Sequence, residues 1–351
     1  MSSRRPAASR RDFLKTASSA AMGVLALSRA RGETNAAAPA SAPLQRILFG
    51  SCNKDYKPQP MWKPICESRP DLWVWLGDNV YGSVDNLTEF AGKYQNAKNK
   101  DGYKELRETC PIIGTWDDND FGVNDGGKEN PHKVESQKLM LDFLDEPENS
   151  PRRQQAGVYT AYTYGPVGKQ VKVILLDGRY HRESPGKNAD TLGAEQWQWL
   201  EKEPTSSTAD VNLIGSGIQV LSSEHRFEKW ANFPKARQRL LDLIARSRAR
   251  NVILLSGDRH FGEISCLQDD RLGYPLYDIT SSGLTHHAES SLKNLYYDFE
   301  HETNPLRRGA VYVGLNFGAL TIQWDTSPRT VTLQIRDVNN ATKAEEKLVL
   351  I

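Results

Sequence analysis

Leu72-Trp73-Val74-Trp75-Leu76-Gly77-Asp78-Asn79-Val80-Tyr81 sets five apolar residues in a row, then a glycine, then a cluster of possible ligands. A run of that length, apolar at every position, reads as a β-strand covered on both faces rather than one alternating between core and water. The same pattern recurs along the chain. Arg46 to Phe49 leads into Gly50-Ser51-Cys52, Ile112 to Trp116 into Asp117-Asp118-Asn119-Asp120, and Val171 to Leu176 into Asp177-Gly178-Arg179. Val211 to Ile214 leads into Gly215-Ser216-Gly217, and Val252 to Leu255 into Ser256-Gly257-Asp258-Arg259-His260. Between such strands, Gly193 to Glu201 and Pro234 to Arg246 carry helical spacing, the latter through Leu240, Leu241, Leu243 and Ile244. This is α/β organisation, and in such sheets ligands gather beyond the carboxyl ends of the strands, where these glycines and acids lie.

The last part of the chain changes character. Runs at Tyr277 to Thr280, Val311 to Phe317, Leu320 to Trp324 and Thr330 to Ile335, with turn-forming residues between them, predict an antiparallel extension of the same sheet system. The polar inserts 86–109 and 124–149 predict surface helices and loops beside the cleft.

With 351 residues, 45 Lys plus Arg against 44 Asp plus Glu and a mean hydropathy of −0.60, the chain is an ordinary globular protein with enough length for a large core. Six of the basic residues and a single acid fall in the first 30 positions, which leaves the remainder mildly acidic. That balance excludes general coating of nucleic acid or of anionic membranes. Ser9-Arg10-Arg11-Asp12-Phe13-Leu14-Lys15, followed by a modest apolar run from Ala17 to Leu27, has the layout of a twin-arginine export signal. The expectation is therefore a signal and flexible leader over residues 1–42 and one domain over 43–351. Its first partner would be the twin-arginine export machinery, its destination periplasmic or secreted, and it would have no stable membrane anchor. Cys52, Cys66, Cys110 and Cys266 show no Cys-x-x-Cys pairing. A Cys66–Cys110 disulfide stays open, and Cys52 stands out because it follows the first strand.

The strand ends offer a thiol, several carboxylates, a phenol, a histidine and an arginine. Thiolate, imidazole and phenolate favour a transition ion, while carboxylates can bridge it to a harder cation such as calcium. Two cations a few ångströms apart would clamp a phosphate and activate the attacking water. The planar fork of Arg179 or Arg182 would anchor that phosphate.

The blocks Gly50-Ser51-Cys52, Gly77 to Tyr81, Trp116 to Asp120, Leu176 to Arg182 and Gly257 to His260, in this order, resemble the PhoD-type alkaline phosphatase D family. The resemblance, which extends over the chain after about Leu44, implies a metallophosphatase fold: a double β-sheet sandwich flanked by helices, in four αββα layers. It also implies an iron and calcium centre, with zinc or manganese as alternatives, hydrolysing a small phosphate-ester substrate through a metal-bound hydroxide. Larger members carry a further amino-terminal β domain, so the expectation here is a single-domain member. Carried over by position, Asp78 would bridge the metals, with Cys52, Tyr81 and His260 completing the transition-ion site. Asp118 and Asp258 would face the second cation, with Asn124 and Gln219 as weaker oxygen donors and Asp117 orienting ligands from behind. The sequence departs from the family at Asn119, where relatives usually have histidine. Asparagine can donate a hydrogen bond but cannot transfer a proton. That leaves a phosphodiesterase of lipid or polymer esters, and a weakly active or non-catalytic metal-binding protein of the same fold, as rival readings. His286, His287 and His301 read as solvated or rim histidines in polar loops.

Overall fold

The computed structural model describes residues 42–288, 298–299 and 301–351. The export signal and leader expected over residues 1–42 lie outside these, apart from Ala42. Among the described residues no helix is long and apolar enough to cross a membrane.

The strands are β1 (Arg46–Gly50), β2 (Leu72–Leu76), β3 (Ile112–Thr115), β4 (Thr160–Tyr164), β5 (Val171–Leu175), β6 (Val211–Gly215), β7 (Val252–Ser256), β8 (Gly262–Leu267), β9 (Leu276–Ser281), β10 (Arg307–Tyr312), β11 (Asn316–Gln323), β12 (Thr330–Asp337) and β13 (Thr342–Val349). The helices are α1 (Trp62–Glu67), α2 (Leu87–Lys98), α3 (Asp101–Thr109), α4 (Asp118–Phe121), α5 (Lys133–Phe143), α6 (Gly193–Thr205) and α7 (Pro234–Arg246). Strands pair into two sheets, in the orders β13-β12-β11-β1-β2-β3 and β10-β8-β9-β7-β6-β5-β4. Each sheet has a parallel centre, β1-β2-β3 in one and β5-β6-β7-β9 in the other, with antiparallel strands added outside it.

The two-residue period of β2 explains the layering. Val74 and Leu76 belong with Ile47 and Phe49 to the core shared with the second sheet and with Trp197, Leu200, Leu240 and Ile244 of α6 and α7. Trp73 and Trp75 point the other way, into a separate core with Trp62, Ile65, Tyr103, Leu106 and Phe143 from α1, α3 and α5. The result is helix, sheet, sheet, helix, the four-layer sandwich expected. Proline at the first position of α7 fits a helix start, since its missing N–H would be unpaired there anyway.

The carboxyl-terminal runs required correction. Val311 to Phe317 is not one strand: it is divided between β10 in the second sheet and β11 in the first, and β11 continues through the break expected before Leu320. The run at Tyr277 pairs antiparallel with β8, as expected, but in parallel with β7 on its other edge. All four cysteines are free and buried, so the described structure contains no Cys66–Cys110 disulfide.

Trp62, Trp73 and Trp75 pack edge to face, with centroids 5.4 to 5.6 Å apart, and Trp75 Nε1 donates to the Tyr103 hydroxyl at 3.0 Å. Replacing Trp75 by Ala removes the centre of this cluster and strands the Tyr103 hydroxyl. It should lower unfolding free energy by about 3–5 kcal/mol. Chemical denaturation with an unchanged m value is the check, and a loss under about 1 kcal/mol would show that the cluster is not the organising contact of this layer.

Candidate metal centre

The parallel strands of both sheets deliver their carboxyl ends to one cleft. Cys52 follows β1, Asp78 follows β2, Asp117 and Asp118 follow β3, and Asp258 and His260 follow β7. The chain turns so abruptly there that Cys52, Asp78, Asp258 and His260 all adopt left-handed backbone conformations, with φ of 63°, 51°, 70° and 58°. For a residue with a Cβ this costs roughly 1–2 kcal/mol, and such strain gathers where the surroundings fix a side chain for a purpose. Gly77 permits the approach of β2 to β3: with φ of 91°, an added Cβ would lie 2.4 Å from the Cβ of Asp117.

Two groups of donors result, each with ligand atoms within 4.8 Å of one another: Cys52, Asp78 and His260, and Asp78, Asp117 and Asp118. Asp78 is common to both. Its Oδ2 receives the Tyr81 hydroxyl at 2.9 Å and lies 3.4 Å from Cys52 Sγ. The Tyr81 oxygen is also 3.2 Å from His260 Nε2 and 3.1 Å from His286 Nε2. The phenol, the carboxylate and two imidazole nitrogens thus converge on one point, each able to present a lone pair. On the other side Asp117 Oδ2 is buried without a hydrogen-bond partner.

The electrostatics agree. Burial, and then the neighbouring carboxylates, raise Asp78 and Asp258 well above the ordinary carboxyl range. Burial also raises Asp117 against the pull of Arg179. The Cys52 thiol is raised by burial and by Asp78, and His260 is lowered to about 3 by burial and by Lys54. Of these acids only Asp117 has an ion-pair partner among the described residues, Arg179, and a buried cluster so unbalanced suits positive ions. The donor set therefore fits cations on both sides of Asp78.

Several residues lie where the sequence did not put them. Arg179 does not face the cleft: it is 1% exposed, and its guanidinium holds Asp117 Oδ1, at 2.7 Å from Nε, and the carboxylate of Glu228. Its fork is filled by carboxylates and fixes Asp117. Arg182 does line the cleft, but it is spent on Glu228 and on the Asp125 carbonyl. Asn119 uses both amide hydrogens on the centre, donating to Asp78 Oδ2 at 3.2 Å and Asp118 Oδ1 at 2.9 Å. Asn124 and Asp258 border the cavity. Gln219 does not; its amide donates to Glu263 and Thr280. His286 is buried against Tyr81 and His260, not solvated, because β9 runs beside β7 and carries the following loop back over the cleft.

Sequence reading also missed Asp120, Glu228 and Ser282. Asp120 ties the strand ends together by accepting the backbone N–H groups of Asp78, Asn79 and Asp117, yet burial still lifts its carboxyl to about 7. The spacing of Asp117 and Asp120 is a capping box at the start of α4, a signal legible in the sequence. Ser282 Oγ lies 3.0 Å from Cys52 Sγ and accepts the His260 N–H. Above the donors opens a cavity of about 730 Å³, with Lys54, Arg182, Arg226 and Arg259 on its walls beside Phe227.

A double-sheet sandwich carrying such ligands at its strand ends defines the metallophosphatase class of fold. Purple acid phosphatase PPD1 from yellow lupin (Lupinus luteus) shares it at 12% identity over 89% of this chain and 55% of its own, with a TM-score of 0.59. A solved structure of PhoD superposes with a TM-score of 0.65 at 20% identity, covering 88% of this chain and 69% of that one. The profile of the PhoD-like phosphatases matches residues 48–294, and the chain belongs to that family. Alkaline phosphatase D of Bacillus subtilis (strain 168) is 24% identical over 288 residues, 66% of this chain, and the chain spans 48% of that protein's length. Membership in the family implies divalent metal ions.

Elemental analysis of the purified protein tests the donor assignment. A cation in each donor group predicts that Asp78→Ala depletes both, since the groups share that residue, and that Cys52→Ser depletes one. Wild-type content in Asp78→Ala would refute the shared-ligand arrangement.

Proposed function

We propose that the protein hydrolyses phosphate esters at a centre of two cations, one held by Cys52, Asp78, Tyr81 and His260, the other by Asp78, Asp117, Asp118 and Asp258. The observation that carries this reading is the pair of donor groups meeting at Asp78 on the floor of a cavity with basic walls. Thiol, phenol and imidazole suit iron, zinc or manganese, and the carboxylate side suits calcium. Bound there, the cations supply charge against the phosphate oxygens and lower the pKa of water.

The chain's own residues prepare that chemistry. Arg179 fixes Asp117 through a buried ion pair, so one oxygen of that carboxylate stays aimed at Asp118 and Asp78. Asn119 holds Asp78 and Asp118 in register through its amide. With those hydrogens occupied and no titratable proton, it offers a leaving group no acid. Esters whose leaving group is stable as an anion, such as aryl esters and phosphoanhydrides, are therefore the favoured substrates. The cavity accommodates a monoester or a diester headgroup. The twin-arginine layout of Ser9 to Lys15 supports export as a folded, metal-loaded enzyme to the periplasm or beyond, with the export machinery as a transient partner.

Release of p-nitrophenol from bis-p-nitrophenyl and p-nitrophenyl phosphate, measured before and after chelation, tests the reading. The expected result is hydrolysis that chelation abolishes and added cations restore, with the ratio of the two rates distinguishing diester from monoester chemistry. Bound cations with no turnover on either ester would instead support a binding protein. Asn119→His should raise the rate on alkyl esters relative to p-nitrophenyl esters by roughly 10²-fold; equal changes on both would mean that no proton donor is lacking at this position.

A further inference from the structure

We infer that Lys54 anchors the outward-facing oxygens of the substrate phosphate, the part sequence reading gave to Arg179 or Arg182; this rests on the phosphoesterase reading above. Cations at the floor of the cleft can neutralise only the oxygens turned toward them. The remaining oxygens meet the walls, where a donor must be free to turn to them. Arg182 is held by Glu228 and the Asp125 carbonyl, and Arg259 by both oxygens of Glu302 at 2.6 and 2.7 Å. Drawing Arg259 toward a ligand would leave the buried Glu302 without this partner, and drawing Arg182 away would strip Oε1 of the buried Glu228 of its guanidinium, both unfavourable. The Lys54 ammonium has no hydrogen bond or ion pair among the described residues. It rests 4.7 Å above the centroid of the Tyr81 ring, on the wall of the cavity and half-buried.

Its base is fixed while its tip is not. The Lys54 N–H donates to Thr285 Oγ1 at 2.8 Å, and its carbonyl accepts from Lys57 N and Gln59 Nε2, both at 3.0 Å. The neighbouring Asn53 N–H donates to the Asp78 carbonyl at 2.8 Å. The lysine backbone is thus tied to the loop bearing the shared ligand, and a four-carbon stem carries a compact charge over a ring that holds it by cation–π attraction. Such an anchor can follow a phosphate of either ester type, because a point charge imposes no fork geometry.

The test uses the full chain purified with its cations and titrates inorganic phosphate, by calorimetry and by competition against p-nitrophenyl ester hydrolysis. Lys54→Met keeps the stem and removes the charge. It should weaken phosphate binding about tenfold or more, with metal content unchanged, and Lys54→Arg should recover most of the affinity. Unchanged phosphate affinity in Lys54→Met, or a comparable loss found in Arg226→Gln instead, overturns the inference while leaving the phosphoesterase reading standing. Loss of metal in Lys54→Met also overturns it, since the residue would then act through the centre. A wild-type protein that neither binds phosphate nor cleaves either ester defeats both readings together.

Discussion

Carboxylates crowd around the buried Asp78 on the floor of the cavity, and most of what surrounds the cleft can be understood as a response to that crowding. Asp78 is buried within reach of Cys52, Tyr81, Asp118 and Asn119. Left alone, such groups would take up protons or draw in water. The structure instead supplies every available neutral donor, from the backbone N–H of Asn119 to its side-chain amide and the Tyr81 hydroxyl, and leaves the balance to ions. The left-handed turns at four of the donors, and the glycines between them, are the backbone cost of bringing strand ends from two sheets so close.

A second tier of charge holds this arrangement in place. Glu228 lies between Arg179 and Arg182, and Arg179 in turn grips Asp117. Arginines in this setting are scaffolding. Their guanidinium forks are matched to carboxylates already present, and a fork so matched is costly to release. Arg226 and Phe227 immediately precede Glu228, so the wall of the cavity is attached to the same ion-pair chain that positions Asp117.

The α/β character, the strands that carry the ligands and their shared edge were legible because continuous apolar runs ending in glycine have one simple reading. Asp78, Asp118, Asp258, Cys52, Tyr81 and His260 stand on such ends, and the structure brings them to one cleft. What escaped was set by contacts between distant parts of the chain. The motif Asp177-Gly178-Arg179 shows a positive charge but not the acid it meets, because Glu228 comes from another loop. His286 sits in a locally polar stretch, and only the pairing of β9 with β7 puts it beside Tyr81. β13 escaped for a different reason: Thr-Lys-Ala-Glu-Glu-Lys-Leu-Val is largely exposed, as an edge strand guarded by charge can be, so it lacks the apolar signal used to find the others.

The ion pair between Arg179 and Asp117 joins the end of a strand in one sheet to the end of a strand in the other, across 62 residues of sequence, and the contact between Cys52 and Ser282 spans 230. Neither half of the sandwich owns the cleft. The group of Cys52, Asp78 and His260 is complete only where the two sheets meet, whereas Asp78, Asp117 and Asp118 come together at strand ends of the first sheet alone. Parting the two sheets would therefore dismantle the thiol and imidazole side of the site while leaving the carboxylate side in one piece.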